Sequence, residues 1–248
     1  MYAPGEQTAI TSSEVSWNRV SLTVRDRATL TRISRKLLRA SVVGIAERVA
    51  EEIGYAFALQ QDKEFIMGNG TSTYFGEVGL KNAIGAAGIN TMGTTSGDTW
   101  AETTLTDFTN TMALLPSQWW GNNPAWLCSA PYYHSVMLRL MNAGGGNTNQ
   151  TLAGGVGMGQ FLGYPVYFSD RMPTATAVST IQAYFGNFPA STMLGDRVGV
   201  EIMTSTERYF DSDEIAIRGK IAYDINVYEA GDASTAGAVV ALKTGAAS

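Results

Sequence analysis

The spacing of hydrophobic residues along the chain changes period several times, and each change predicts an element. From Ser16 to about Ile33 it is alternate: Val20, Leu22, Val24, Ala28 and Leu30 fall on one side, with Arg19, Thr23 and Arg25 on the other. That period predicts one long strand or two consecutive ones, with the even-numbered side apolar. The period then lengthens. Val42, Ile45, Ala46, Val49, Ala50, Ile53, Ala56 and Phe57 recur at helical spacing between Ser41 and about Ile66, opposite Glu47, Glu51, Tyr55 and Asp62. Ser41 is the expected N-cap, and Gly68 and Gly70 supply the stop. Such a helix is roughly 38 Å long. Gly44 and Gly54 each cost it about 1 kcal/mol relative to Ala, so tertiary packing must hold it.

Gly76 to Asp98 is rich in Gly, Ala, Thr and Asn and reads as a loop. Thr104 and Asp107 form a capping-box pattern ahead of Phe108, Met112 and Leu115, and Pro116 ends that helix. Ala125 to Cys128 is a short apolar strand. Ser129 followed by Pro131 starts another helix, with Tyr133, Val136, Met137, Leu140 and Met141 on its apolar face. Ala143 to Gly159 is a long Gly/Asn loop, and Tyr164 to Ser169 and Ile181 to Phe185 are β-like. Val198, Val200 and Ile202 alternate. The cleanest alternation follows: Ile215, Ile217, Ile221, Tyr223, Ile225 and Val227 against Glu214, Arg218, Lys220, Asp224 and Asn226, with Gly219 marking a bend or bulge. Gly237 to Leu242 is a last short strand. The pattern is α+β, with two or three helices, many strands and no βαβ alternation.

Composition narrows the functional classes. The 248 residues are 45% hydrophobic, and mean hydropathy is −0.03. No run of about 18 apolar residues exists, so no membrane span is expected. The N-terminal stretch has neither a basic n-region nor an apolar h-region. Net charge is −5, which argues against tight nucleic-acid binding. A lone cysteine, Cys128, forms no internal disulfide and fits a reducing compartment.

Candidate chemistry is sparse. Cys128 and His134 are the only thiol and imidazole; they read as a buried thiol and a half-buried histidine rather than a nucleophile and base. One His and one Cys nearly exclude a zinc site of the N/S type. Gly155, Gly157, Gly159 and Gly163 lack the strand before and helix after that a dinucleotide loop needs. Asp211, Asp213 and Glu214 lack the other ligands of an EF-hand and read as a charged turn or subunit contact. Trp119, Trp120 and Trp126 read as core or interface, since no basic residue lies between Lys81 and Arg139. No catalytic residue, cofactor or metal is expected.

Order of blocks carries a resemblance. Ile33-Ser34-Arg35-x-Leu37-Leu38, then a long amphipathic helix ending Ala-Leu-Gln-Gln-Asp-Lys-Glu-Phe (58–65), then Gly68-Asn69-Gly70-Thr71, is similar to the major capsid protein of tailed bacteriophages. Residues 163–173 (GYPVYFSDRMP), the strand ending Gly186-Asn187-Phe188, and 198–230 follow in the family's order, with an insert at 232–236. The match spans about Val15 to Gly245. It implies an HK97-like capsid fold: residues 1–30 as N-terminal arm and extended-loop remnant, 31–99 and 196–230 as the peripheral domain with the helix as its spine, and 100–195 and 231–248 as an inserted axial domain. The arm and the rising half of the extended loop are expected to be absent or reduced here.

The implied function is a shell. Identical chains form hexamers and pentamers that tile an icosahedral head around double-stranded DNA. Portal, scaffold or maturation protease would be assembly partners, and the virion, assembled in the host cytoplasm, the location. The acidic balance suits a lining that repels DNA. An encapsulin-type nanocompartment or gene-transfer-particle shell is the alternative, and a cofactor-binding enzyme the remote one. Trp17, Arg19, Arg25 and Arg27 are the candidate subunit-contact residues, with Glu47, Glu51, Asp211 and Asp213 as partners. Some family members join subunits through a lysine on the extended loop. Met1 to Arg35 contains no lysine, and arginine is a poor nucleophile, so the contacts are expected to be non-covalent.

Overall fold

The computed structural model describes residues 19–40, 44–93, 97, 99–121, 123–143 and 159–246. Its strands form two sheets. A three-stranded antiparallel sheet has the order β1-β8-β7, from Arg25–Ser34, Glu214–Val227 and Thr192–Tyr209. A six-stranded mixed sheet has the order β2-β9-β6-β3-β5-β4, from Ile89–Thr91, Val239–Lys243, Ile181–Gly186, Ala125–Cys128, Tyr164–Phe168 and Gly159–Phe161.

The long helix, α2, spans Ile45–Met67, about 35 Å. It starts later than its apolar period predicts. Gly44 occupies the cap position without a side-chain hydrogen bond, and the expected cap, Ser41, lies outside the described residues. A separate short helix, α1 (Arg35–Ala40), precedes it directly after β1. On α2 the period is right in outline: Ile53, Phe57 and Ile66 are buried, while Glu47, Glu51, Tyr55 and Asp62 are exposed. Ala46 and Ala56, expected inside, are exposed. Gly68 ends the helix because its backbone lies against Gly79 and Glu77; a Cβ there would sit 2.5 Å from the Glu64 carbonyl and 2.7 Å from that of Glu77.

The helix lies on the odd-numbered face of β8, against Ile217, Ile221, Tyr223 and Ile225. Gly219 belongs to the same face and is not a bulge. Its register with Thr29 and Ile202 is regular. A Cβ there would fall 2.4 Å from Ile53 Cγ2 and 3.0 Å from Phe57 Cε2, so glycine lets the helix approach the sheet. The irregularities sit on β7 instead, between Asp196 and Val198, between Val198 and Glu201, and between Ser205 and Tyr209. An extra residue reverses the side-chain alternation. Val198 therefore opposes Ala222 while Ile202 opposes Gly219, and the two valine and isoleucine side chains leave opposite faces.

The face of β1 is the reverse of the one predicted. Arg27, Thr29, Thr31 and Ile33 point at the helix, and Leu30, on the apolar side of the pattern, is exposed. Residues 25–34 must register with β8 through Arg27 opposite Ile221 and Ile33 opposite Ile215, which lie on its helix-facing side.

The six-stranded sheet carries the largest core. Trp126, Phe108, Tyr132, Phe161, Phe185, Val136 and Met137 pack with Val240 and Leu242. Phe108 meets Phe161 at 4.7 Å and Trp126 at 5.4 Å, edge to face. Helix α4 (Leu105–Ala113) begins with the predicted capping box: Thr104 N–H donates to Asp107 Oδ2 at 2.8 Å. Ser129 caps α5 (Ala130–Tyr132), which passes through a π-turn at Tyr133–Met137 into α6 (Leu138–Ala143). The stretch read as a loop after Gly76 contains α3 (Leu80–Ala83), a 3₁₀ turn at Ala86–Gly88 and β2. These are too short for periodicity to show, and β2 exists because β9 supplies its ladder. A second cluster, Ile66, Leu80, Ile84, Leu127, Tyr184 and Val239, joins the end of α2 to the six-stranded sheet.

Candidate subunit-contact surface

The eight residues proposed for subunit contact fall into separate places. Trp17 lies outside the described residues. Arg19 is exposed just ahead of the three-stranded sheet. Arg25, at the start of β1, turns its guanidinium back to the Phe75 carbonyl within its own chain. Glu47 and Glu51 stand exposed on the outer face of α2. Glu51 pairs with Arg48 at 3.3 Å, and Arg48 with Glu52 at 2.9 Å. Asp211 and Asp213 occupy the tip joining β7 to β8. There Asp213 adopts the left-handed region (φ 52°), accepts Arg35 N–H at its carbonyl (3.0 Å), and lies 3.6 Å from the Arg35 guanidinium.

Arg27 is a correction. Its side chain is 2% exposed and pairs within its own chain. One guanidinium nitrogen donates to Glu64 at 2.7 Å and to Glu77 at 2.6 Å. Its plane lies 3.8 Å from the Tyr223 ring centroid, and its other terminal nitrogen donates to the Arg25 and Tyr223 carbonyls. Tyr223 Oη and Gln60 Nε2 both donate to Glu64, at 2.9 and 2.8 Å. Burial, with the Glu64 charge next to it, pushes the Tyr223 phenol up. A buried charge survives only when paired and hydrogen-bonded; both terminal nitrogens of Arg27 and the two carboxylates find partners, while Arg27 Nε is buried without one. The sequence hid this group: Arg27 occupies a polar position of an alternating strand, and Glu64 and Glu77 lie in unrelated elements.

β7 is among the elements that leave apolar side chains exposed. Met193, Leu194, Val200, Ile202 and Met203 are all exposed, Leu194 at 58% and Met203 at 52%. β7 is the edge of its sheet, and α2 covers β8 rather than β7. At the tip, Phe210 is 77% exposed on a 3₁₀ turn (Phe210–Ser212). Near the other end, Met193 and Leu194 border a groove with Gln61, Asp62 and Phe65 of α2.

Cys128 is fully buried, which pushes its thiol up to about 12 and makes it a poor nucleophile. His134 is exposed, not half-buried as expected, and its ring packs edge-on to Tyr133. Trp126 is core, Trp120 meets Tyr164 and Phe185 edge to face, and Trp119 packs against the same cluster. Of the glycine series, Gly155 and Gly157 lie outside the described residues; Gly159 opens β4, and Leu162-Gly163 makes the two-residue turn between β4 and β5. Among the described residues, no group of three His, Cys, Asp or Glu could hold a metal ion. No helix among them is long and apolar enough to cross a membrane.

Solved structures share the fold. The capsid of an empty GTA particle computed with C5 symmetry superposes with a TM-score of 0.77 at 19% identity, over 99% of this chain and 81% of that one. Mycobacterium phage Adephagia gives 0.66 at 19%, over 100% and 80%. The holo-SrpI encapsulin complex from Synechococcus elongatus PCC 7942 gives 0.59 at 15%, over 89% and 73%. No curated protein matches the chain. The sequence model described as the phage capsid family matches residues 2–233. With this match over nearly the whole chain and its HK97-like architecture, the chain belongs to the phage capsid family and is a shell-forming capsid protein.

Proposed function

We propose that the chain is a major capsid subunit whose copies assemble, without catalysis, into hexamers and pentamers of an icosahedral head around double-stranded DNA. The observation that carries this is the match to the phage capsid family over residues 2–233, and the exposed Met193, Leu194, Val200, Ile202 and Met203 of the edge strand β7 support it. The three-stranded sheet with α2 is the peripheral domain, and the six-stranded sheet with α4 to α6 is the axial one. Arg19, Arg25, Glu47, Glu51, Asp211 and Asp213 act at the rim of the contacts, where each exposed ion pair contributes about 0–1 kcal/mol and repetition supplies the stability. DNA is enclosed rather than gripped, consistent with a net charge of −5. Portal, scaffold and maturation protease act during assembly in the host cytoplasm.

Light scattering on the size-excluded protein tests assembly: species far above 26.5 kDa support it, and a strict monomer across salt, pH and concentration overturns it. The likeness to the GTA particle and to the encapsulin complex favours a gene-transfer-particle shell or nanocompartment as the second reading. Content separates them: DNA in the purified particles supports a virus or gene-transfer head, and a packaged enzyme the nanocompartment.

A further inference from the structure

Cations are concentrated where β1 ends. Residues 32–39 hold Arg32, Arg35, Lys36 and Arg39 and no acid, in a chain whose net charge is −5. Arg32 is engaged: it pairs with Glu214 at 3.4 Å and lies 5.2 Å from the Tyr209 ring centroid. Arg35 and Arg39 are one turn apart on α1 and share a face of it. That face borders a cleft of about 370 Å³ between α1 and the end of the β7–β8 hairpin. Leu38, Thr206 and Ile215 complete the lining, and none of the five residues is an acid.

Neither guanidinium is fully used. Arg35 donates through one terminal nitrogen to the Thr206 carbonyl at 2.7 Å, which holds the side chain against β7. Its Nε is buried without a hydrogen-bond partner. The Asp213 carboxylate stands 3.6 Å away, close enough to pair but too far to accept a hydrogen bond, and that side chain is 67% exposed. A buried donor on a charged group is costly to leave unmet. Arg39 is exposed and has no hydrogen bond or ion pair among the described residues. Lys36, equally exposed and without a partner among them, adds to the local positive potential.

We infer that the Arg35–Arg39 cleft is a binding site for a phosphate group, either free or in a phosphodiester backbone. Two guanidiniums one helical turn apart offer more donors than one planar carboxylate accepts, and a tetrahedral phosphate has oxygens for both forks. Arg35 is already held in place by Thr206, so its Nε–H is a fixed donor. The apolar side chains of Leu38 and Ile215 lower the local dielectric and strengthen the attraction. Two cations per chain make the binding weak and salt-sensitive, in keeping with an acidic protein. The site stands whether or not the chain forms a shell, because a single chain supplies every group.

Calorimetric titration of the full chain with inorganic phosphate, at constant pH and ionic strength, tests it. Saturable binding of one phosphate per chain is expected. Arg39→Gln should weaken it by about tenfold or more, through the loss of a charge-assisted hydrogen bond; the residue is exposed, so the variant should fold. Arg35→Lys keeps the charge but removes Nε–H and the fork, and should also weaken binding. Lys81→Gln removes an exposed cation of α3 and should leave binding unchanged. A short DNA duplex separates the two sources: displacement of bound phosphate assigns the site to a nucleic-acid backbone, and failure to displace it assigns the site to free phosphate. Absence of saturable binding overturns the proposal, as does equal weakening by Lys81→Gln and Arg39→Gln, which means diffuse surface charge. So does indifference to phosphate combined with loss of assembly in Arg39→Gln, which makes the occupant a carboxylate of a second copy.

Discussion

The two sheets of this subunit solve the same problem differently. The six-stranded sheet buries its central strands: all six residues of β6 and all four of β3 are buried, and α4 to α6 close over an aromatic core, while β5 leaves Tyr167 and Phe168 exposed. The three-stranded sheet hides only its central strand. One helix is wide enough to cover β8 and half of β1, and β7 remains an uncovered edge of 18 residues. A long edge with exposed Leu194, Met203 and Phe210 is a liability for a solitary protein and an asset for one that polymerises. Burial is deeper in the six-stranded region, and the proposed assembly would cover β7 of the other with a second copy.

Substitutions can break or sharpen that contrast. The largest effects belong to the two buried anchors. Trp126→Ala in the six-stranded sheet should cost about 3–5 kcal/mol in denaturant unfolding of the unassembled subunit. Arg27→Ala should cost a similar 3–5 kcal/mol, because it strands Glu64 and Glu77 without their cation. A small effect of Arg27→Ala would mean that the ionic group is open to water and the three-stranded region looser than drawn.

A smaller loss is expected at the interface of helix and sheet. Gly219→Ala places a methyl against Ile53 and Phe57 and should cost about 1–3 kcal/mol as overpacking. An unchanged midpoint would show that α2 does not press on β8. At the bottom of the scale lie Leu194→Ser and Glu51→Ala, which should alter subunit stability by about 0.5 kcal/mol or less. They should differ in assembly. Leu194→Ser is expected to reduce particle yield in light scattering while Glu51→Ala leaves it nearly intact. If Leu194→Ser destabilises the subunit as much as Trp126→Ala, β7 is already covered within the chain and the contrast fails. Particles boiled in SDS should run as one band near 26.5 kDa, since the run to Arg35 offers no lysine for a covalent link; a ladder surviving boiling and reductant would overturn non-covalent assembly.

Legibility in the sequence followed element length and two-sidedness. α2, α4 with its capping box, β3, β5, β6 and the inward parity of β8 were readable, because each has a polar and an apolar side or strong local signals. Short pieces between Gly76 and Asp98 were not, since β2 has three residues and depends on β9. The candidate site was legible only in kind. Glu47, Glu51 and Asp211 are exposed as their pattern predicts, Arg27 is buried, and the exposed apolar residues of β7 look in sequence like ordinary strand interior.

By itself the sequence determined the α+β order, the spine helix, the apolar face of β8 and the family resemblance, all of which rest on local periodicity or on blocks in fixed succession. Tertiary structure alone decided which side of β1 faces inward, why position 219 must be glycine, and where the charges of Arg27, Glu64 and Glu77 meet. It also decided which apolar residues remain in water. Those outcomes depend on what lies across from a residue, and one-dimensional spacing carries no information about a partner 37 to 196 positions away.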